Sequence, residues 1–230
     1  MTFPFRHPKR CASDVCFSGV IIAHLAHRLR FDYTRLMTPL PRAFFERDAA
    51  TVARALLGQR VVRVLDGQRV GGLICETEAY GGADDQASHA YRRTPRSAIM
   101  YGPPGYAYVY FIYGMHFCLN AVTEADGLPG AVLIRAIAPD EGVAIMRGRR
   151  GRVSERSERS ERGLTDGPGK LCQALGIARA QNGIDLTVSA ELSVETGVAV
   201  ADEQVEITPR IGVRGDDIAR GRLWRFVWRR

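Results

Sequence analysis

The chain has 230 residues, 46% of them hydrophobic and 25% charged, with a formal net charge of +7. Those values suit one domain of ordinary size with a full core, and they exclude a fibrous or wholly disordered chain. Five cysteines without a C-x-x-C pair, and only five histidines, supply no disulfide or zinc framework, so we expect no metal, no cofactor and a reducing, cytoplasmic location.

The basic side chains are 30 Arg and only two Lys, Lys9 and Lys170. Arg grips phosphates and base edges with a planar fork, which points to nucleic acid. A GC-rich genome would give the same ratio.

Residues 1–36 carry six Arg or Lys against two acids. Their apolar run is too short to span a bilayer and makes a poor signal peptide. They read as a disordered basic arm or a translation-start artefact, with one folded domain over 37–230.

From Pro41 the spacing of Phe44, Phe45, Ala49, Val52, Ala53, Leu56 and Leu57 predicts one helix ended by Gly58. Strands follow at "RVVRVL" and "GGLICETEAY", joined by the hairpin signal "DGQ". The next segment, "GGADDQASHAYRRTPRSAIMYGPPG", is too rich in Gly, Pro and charge for a core element. "YAYVYFIY" and "FCLNAVT" predict two strands around a tip at Tyr113 and Gly114, and "AVLIRAIA" a buried strand. A helix is expected from Asp140, then a solvated loop at the repeated Ser-Glu-Arg, then a helix in "DGPGKLCQALGI" with Pro168 in its first turn. The tail from Ile207 carries one more short strand. That order predicts an α+β domain: a mostly antiparallel, curved sheet flanked by helices, with a protruding β-hairpin.

Two places carry chemistry. In "ICETEAYGG", strand alternation puts Glu76, Glu78 and Tyr80 on one face. Two carboxylates so close repel unless a cation intervenes, and Arg135, costly inside the apolar strand "AVLIRAIA", needs an acidic partner. Either glutamate fits. The paired one stays ionised and can act as a general base on water.

The second place packs Tyr101, Tyr106, Tyr108, Tyr110, Phe111 and Tyr113 next to an Arg-rich loop. Aromatics among Arg are what stacking on nucleobases requires, and also what a tyrosine-rich strand face looks like. Tyr113, at a hairpin tip, has nothing of its own fold to pack on and could wedge into a base stack. His89 with Tyr80 could sandwich a flat ring, or simply cap a loop.

Taken together, "ETEAY", "YVYFIYGMHFCLN", "LIRAI" and "GPGKLCQAL" resemble the motifs of the alkyladenine (3-methyladenine) DNA glycosylases, collinearly from about Pro41 to the C-terminus. The resemblance implies that Glu78 activates a water that attacks C1′ of a damaged purine nucleotide. Arg135 and the backbone of Ile211 would help to hold that water. Tyr80, His89 and Tyr110 would stack on the flipped base, Asn120 would screen the purine edge, and Tyr113 would fill the gap in the duplex. Met115, Thr94, Arg96 and Lys170 would contact the DNA.

A monofunctional enzyme is expected, because a Schiff base needs an amine. Lys9 lies outside the domain, and Lys170 at a helix start suits a phosphate better. The implied partner is double-stranded DNA with damaged purines, met by a monomer without a membrane. A non-catalytic nucleic-acid binder is the competing reading. A zinc nucleobase deaminase lacks its H-x-E and P-C-x-x-C pattern here. The repeat, residues 1–36 and His116, where the family often has another aromatic, depart from the pattern.

Overall fold

The computed structural model describes residues 38–151 and 161–230. The expected N-terminal extension and most of the Ser-Glu-Arg repeat lie outside the described residues.

The single helix expected after Pro41 is two. α1 (Arg42–Phe45) stops short, and α2 (Ala49–Leu56) begins afresh where the Asp48 carboxylate accepts the Thr51 N–H at 2.9 Å. An Asp cap satisfies an orphan helix donor, so capping overrides continuous apolar spacing.

β1 (Arg60–Leu65) and β2 (Gln68–Tyr80) form the expected hairpin. Asp66 and Gly67 take the left-handed φ values of 49° and 76° that a tight two-residue turn demands. β3 (Ala107–Ile112) and β4 (His116–Val122) form the second hairpin, and β5 (Ala131–Glu141) runs antiparallel to both β4 and β2.

The helix expected from Asp140 starts later, as α3 (Val143–Arg150). Strand pairing carries β5 on through Glu141, where Asp140 and Glu141 are held by Arg60 and Arg69. α4 (Pro168–Leu175) has Pro168 in its first turn, as expected.

The remaining elements are β6 (Leu192–Glu195), β7 (Val205–Thr208), α5 (Asp217–Gly221) and β8 (Arg225–Trp228). The tail thus holds two short strands and a helical turn where one strand was expected. Four-residue strands carry too little periodicity to read from sequence.

Among the described residues eight strands join one antiparallel sheet in the order β3-β4-β5-β2-β1-β6, with β8 on β2 and β7 on β8. The expected α+β class, antiparallel curved sheet and flanking helices are borne out.

The sheet has two unlike faces. On one, α2 and α4 bury Val52, Leu56, Leu171 and Leu175 against Ile74, Val132 and Ile134. Thr77 points there and donates its hydroxyl to Ala53 O at 2.8 Å. On the other, the segment from His89 to Tyr101 packs Ala90 and Met100 over Tyr108, Val122 and Ala131.

β2 changes neighbours along its length. Its first half pairs with β1, and Glu76, Thr77 and Glu78 pair with β8 instead, with register shifts against β5 on the way. Gly72 permits the close crossing, since a Cβ there would lie 2.2 Å from Ala138 O. The bend presents Glu76 and Glu78 to the face opposite the helices. Among the described residues no helix is long and apolar enough to cross a membrane.

Candidate active site

A cleft of about 840 Å³ opens on that second face. It falls in the range of small-ligand sites, about 300–1,000 Å³. Strand alternation delivers its walls: Tyr108 and Tyr110 from β3, Cys118 and Asn120 from β4, Leu133 and Arg135 from β5, and Tyr80 from β2. The 86–89 loop and residues 211–214 close two further sides.

Beneath Tyr80, Arg135 and Ile211 lies Glu78, with 0% side-chain exposure. Its Oε1 accepts the Ile211 N–H at 2.7 Å, and its Oε2 accepts the Tyr80 hydroxyl at 2.7 Å. Arg135 Nη1 adds an ion pair to Oε2 at 3.2 Å. A carboxylate offers about four lone-pair directions. The two hydrogen bonds take one direction on each oxygen and the Arg135 charge faces Oε2, which leaves a second direction on Oε1.

Arg135 is shared. Its Nε donates to Glu76 Oε1 at 2.8 Å, and Arg225 Nε donates to the same oxygen at 2.7 Å. Two guanidiniums therefore stand among two carboxylates, which removes the repulsion expected of the pair. Burial works against the charged Arg135, but the charges of Glu78 and then Glu76 outweigh it and hold its pKa above the usual value. Burial first, then the Glu78 charge, pushes the Tyr80 phenol far above its ordinary range. The hydroxyl keeps its proton and donates.

The aromatic walls differ from a simple sandwich. His89 and Tyr110 meet edge to face, centroids 4.6 Å apart and planes at 76°, so they form a corner rather than parallel plates. His89 Nδ1 lies 2.8 Å from the Tyr108 hydroxyl, and Asn120 Nδ2 donates to Tyr108 O at 2.9 Å. Burial also keeps the Tyr110 phenol protonated.

Although His89 is exposed on the cleft wall, burial among its neighbours and then the charge of Arg96 push its pKa down from 6.5 to about 4. The imidazole is neutral above that value and cationic below it. A nitrogen-15 NMR titration should therefore find His89 neutral throughout pH 5–8, and a midpoint at or above the ordinary value for His, about 6.5, would contradict this wall.

The second hairpin protrudes as expected. At its tip Tyr113 is 78% exposed and Met115 69%. Tyr113 sits at a φ of 54°, a left-handed value uncommon for an aromatic, next to Gly114.

Of the other residues expected to meet DNA, Arg96 lies over the Tyr110 ring at 4.9 Å and lines the cleft. Lys170 stands at the N-terminus of α4 on the cleft rim, 2.7 Å from Asp166. Thr94 is not brought into the cleft: it closes a turn with Ser97, through Thr94 N to Ser97 Oγ at 2.9 Å.

Sequence reasoning missed Arg225 and the ion pair of Asp85 with Arg210. Nothing in a string of 30 Arg marks the one that will fold beside Glu76. Asp85, inside the polar run "DDQ", is 0% exposed, and only its long-range partner makes that tolerable.

A family model described as Methylpurine-DNA glycosylase matches residues 43–230. Among curated proteins, three named "Putative 3-methyladenine DNA glycosylase" align over most of the chain. That of Methanocella arvoryzae is 50% identical over 193 residues, covering 83% of this chain and 92% of that protein. Those of Clostridium acetobutylicum and Desulfitobacterium hafniense are 45% and 44% identical, covering 81% and 83% of this chain and 92% and 95% of theirs.

The class is that of DNA glycosylases, hydrolases acting on N-glycosyl bonds in DNA repair. With a match across residues 43–230, the chain belongs to the methylpurine-DNA glycosylase family.

Proposed function

We propose that this protein is a monofunctional glycosylase that flips alkylated or deaminated purines out of duplex DNA and hydrolyses their glycosidic bond, leaving an abasic site. The observation that carries the reading is the buried Glu78 carboxylate, held by two hydrogen bonds and an ion pair, with an acceptor direction left on Oε1.

In this reading the free direction on Oε1 takes a proton from water as that water attacks C1′. Arg135 sets a positive charge beside the Glu78 carboxylate and, with the Ile211 backbone, helps to fix the water. A base inside a duplex cannot reach a side chain beneath a cleft floor, so the nucleotide must be flipped, at a few kcal/mol that is smallest for damaged pairs. Stacking on Tyr80, His89 and Tyr110 offsets that cost by roughly 1–3 kcal/mol per base. Asn120 screens the purine edge. A cationic alkylated purine is already a good leaving group and favours electron-rich walls.

Tyr113 fills the vacated stack, with Met115, Arg96, Thr94 and Lys170 against the surrounding strands. The enzyme works as a monomer in the cytoplasm, on the nucleoid, and residues 37–230 are sufficient for it.

The test is base release from duplexes carrying methylated purines, with borohydride present. Free base, an intact strand and no trapped protein–DNA adduct are expected. An adduct would overturn the monofunctional assignment, and no release from any lesion would leave a nucleic-acid binder.

Tyr113→Ala should weaken binding to a duplex with an abasic-site analogue about tenfold or more, the value of one lost stacking contact. Its melting temperature should stay at the wild-type value, because the residue is 78% exposed.

A further inference from the structure

Arg210 and Asp85 form an ion pair with both side chains 0% exposed. Arg210 Nη1 donates to Asp85 Oδ2 at 2.6 Å and Nη2 to Asp85 Oδ1 at 2.8 Å. The same two nitrogens also donate to Ala79 O at 2.9 Å and to Ala219 O at 2.8 Å. The guanidinium lies over the Tyr80 ring at 4.8 Å and the Trp224 ring at 5.2 Å. Asp85 in turn accepts Gly81 N at 3.0 Å and Ala87 N at 3.2 Å.

These bonds converge on the two neutral donors of Glu78. Ala79 and Gly81 flank Tyr80, whose ring is covered by the same guanidinium, and Ile211 follows Arg210 in the chain. A buried charge pair is expensive and often replaceable by apolar residues. Here its bonds tie β2, the 85–87 loop, the 210–211 segment and α5 together around one carboxylate, a placement that apolar packing would not fix as sharply.

We propose that Arg210 and Asp85 are positioning residues for the reaction: they set the Tyr80 hydroxyl and the Ile211 N–H on Glu78, and through them aim its free lone pair. Burial works against a charged Asp85, but the bonds from Arg210 and the backbone outweigh it and hold the carboxyl below the usual range, so the clamp is ionic at neutral pH. The inference rests on Glu78 being the base.

The test uses the full chain with Arg210→Lys and Asp85→Asn. Each variant's single-turnover base release is normalised to the protein able to bind a duplex with an abasic-site analogue, so unfolded molecules drop out. A misplacement on the scale of an ångström costs about 10²-fold. We expect release to slow by about 10- to 100-fold with analogue affinity within a few-fold of wild type.

Lys keeps the charge but not the fork. Asn keeps the shape and one acceptor oxygen, so it reports where Arg210→Lys folds poorly. Wild-type rates per competent molecule in either variant, or a rate loss matched by an equal loss of affinity, would overturn the positioning role. Wild-type protein that releases no base, or Glu78→Gln that releases it normally, would instead overturn the assignment of Glu78.

Discussion

Glu78→Gln is expected to slow base release by at least about 10²-fold and up to about 10⁴-fold, the range for a positioned general base. Affinity for a duplex with an abasic-site analogue should stay within a few-fold of wild type, since Glu78 is 0% exposed and does not line the cleft. The substitution is a sharp one because donors approach both oxygens. The carboxamide N–H₂ must face either the Ile211 N–H or the Tyr80 hydroxyl with Arg135, and it cannot accept from any of them. Single-turnover kinetics beside a binding isotherm separate the two quantities. Release at the wild-type rate would remove Glu78 from the chemistry.

Arg135→Met should destabilise the fold as well as the site. It strands Glu78, whereas Glu76 keeps its bond to Arg225 at 2.7 Å. Breaking a buried pair by removing one partner costs about 3–5 kcal/mol. We expect about 3 kcal/mol, the low end, because Arg135 keeps 14% exposure. Since the cost is a charge left without a counter-charge, adding Glu78→Gln to Arg135→Met should return most of the lost stability. Urea melts of the two single variants and the double variant measure this coupling. Additive losses would mean that Arg135 stabilises through its packing instead.

How much of this was legible beforehand follows the range of each interaction. The 66–67 turn and the 113–114 tip were readable because a tight turn is decided by two or three adjacent residues. Glu76, Glu78 and Tyr80 could be put on one face because alternation is a property of any strand. Arg135 could be paired in principle, because an Arg in an apolar strand needs an acid. The choice between the two glutamates came only with the resemblance to a family.

Other elements were misread where a distant partner outweighed a local pattern. Asp48 split the first helix by capping, and the pairing with β2 carried β5 past Asp140. Thr94 and Arg96 are close in sequence, yet one closes a turn with Ser97 and the other lies over Tyr110. Their backbones set those directions, and no side-chain period encodes them.

By itself, the sequence determined the class of fold, the hairpins and the set of residues able to do chemistry, because alternation, turn chemistry and the cost of a buried charge act within a few residues. Only the tertiary structure decided that Glu78 is the buried carboxylate with two hydrogen bonds, one ion pair and a free direction on Oε1, while Glu76 is neutralised by two guanidiniums. It also decided that Asp85 and Arg210, 125 residues apart, close around Tyr80 and Ile211. The physical reason is that hydrogen bonds and ion pairs in a low-dielectric interior depend on distances between strands that the chain brings together only when it folds.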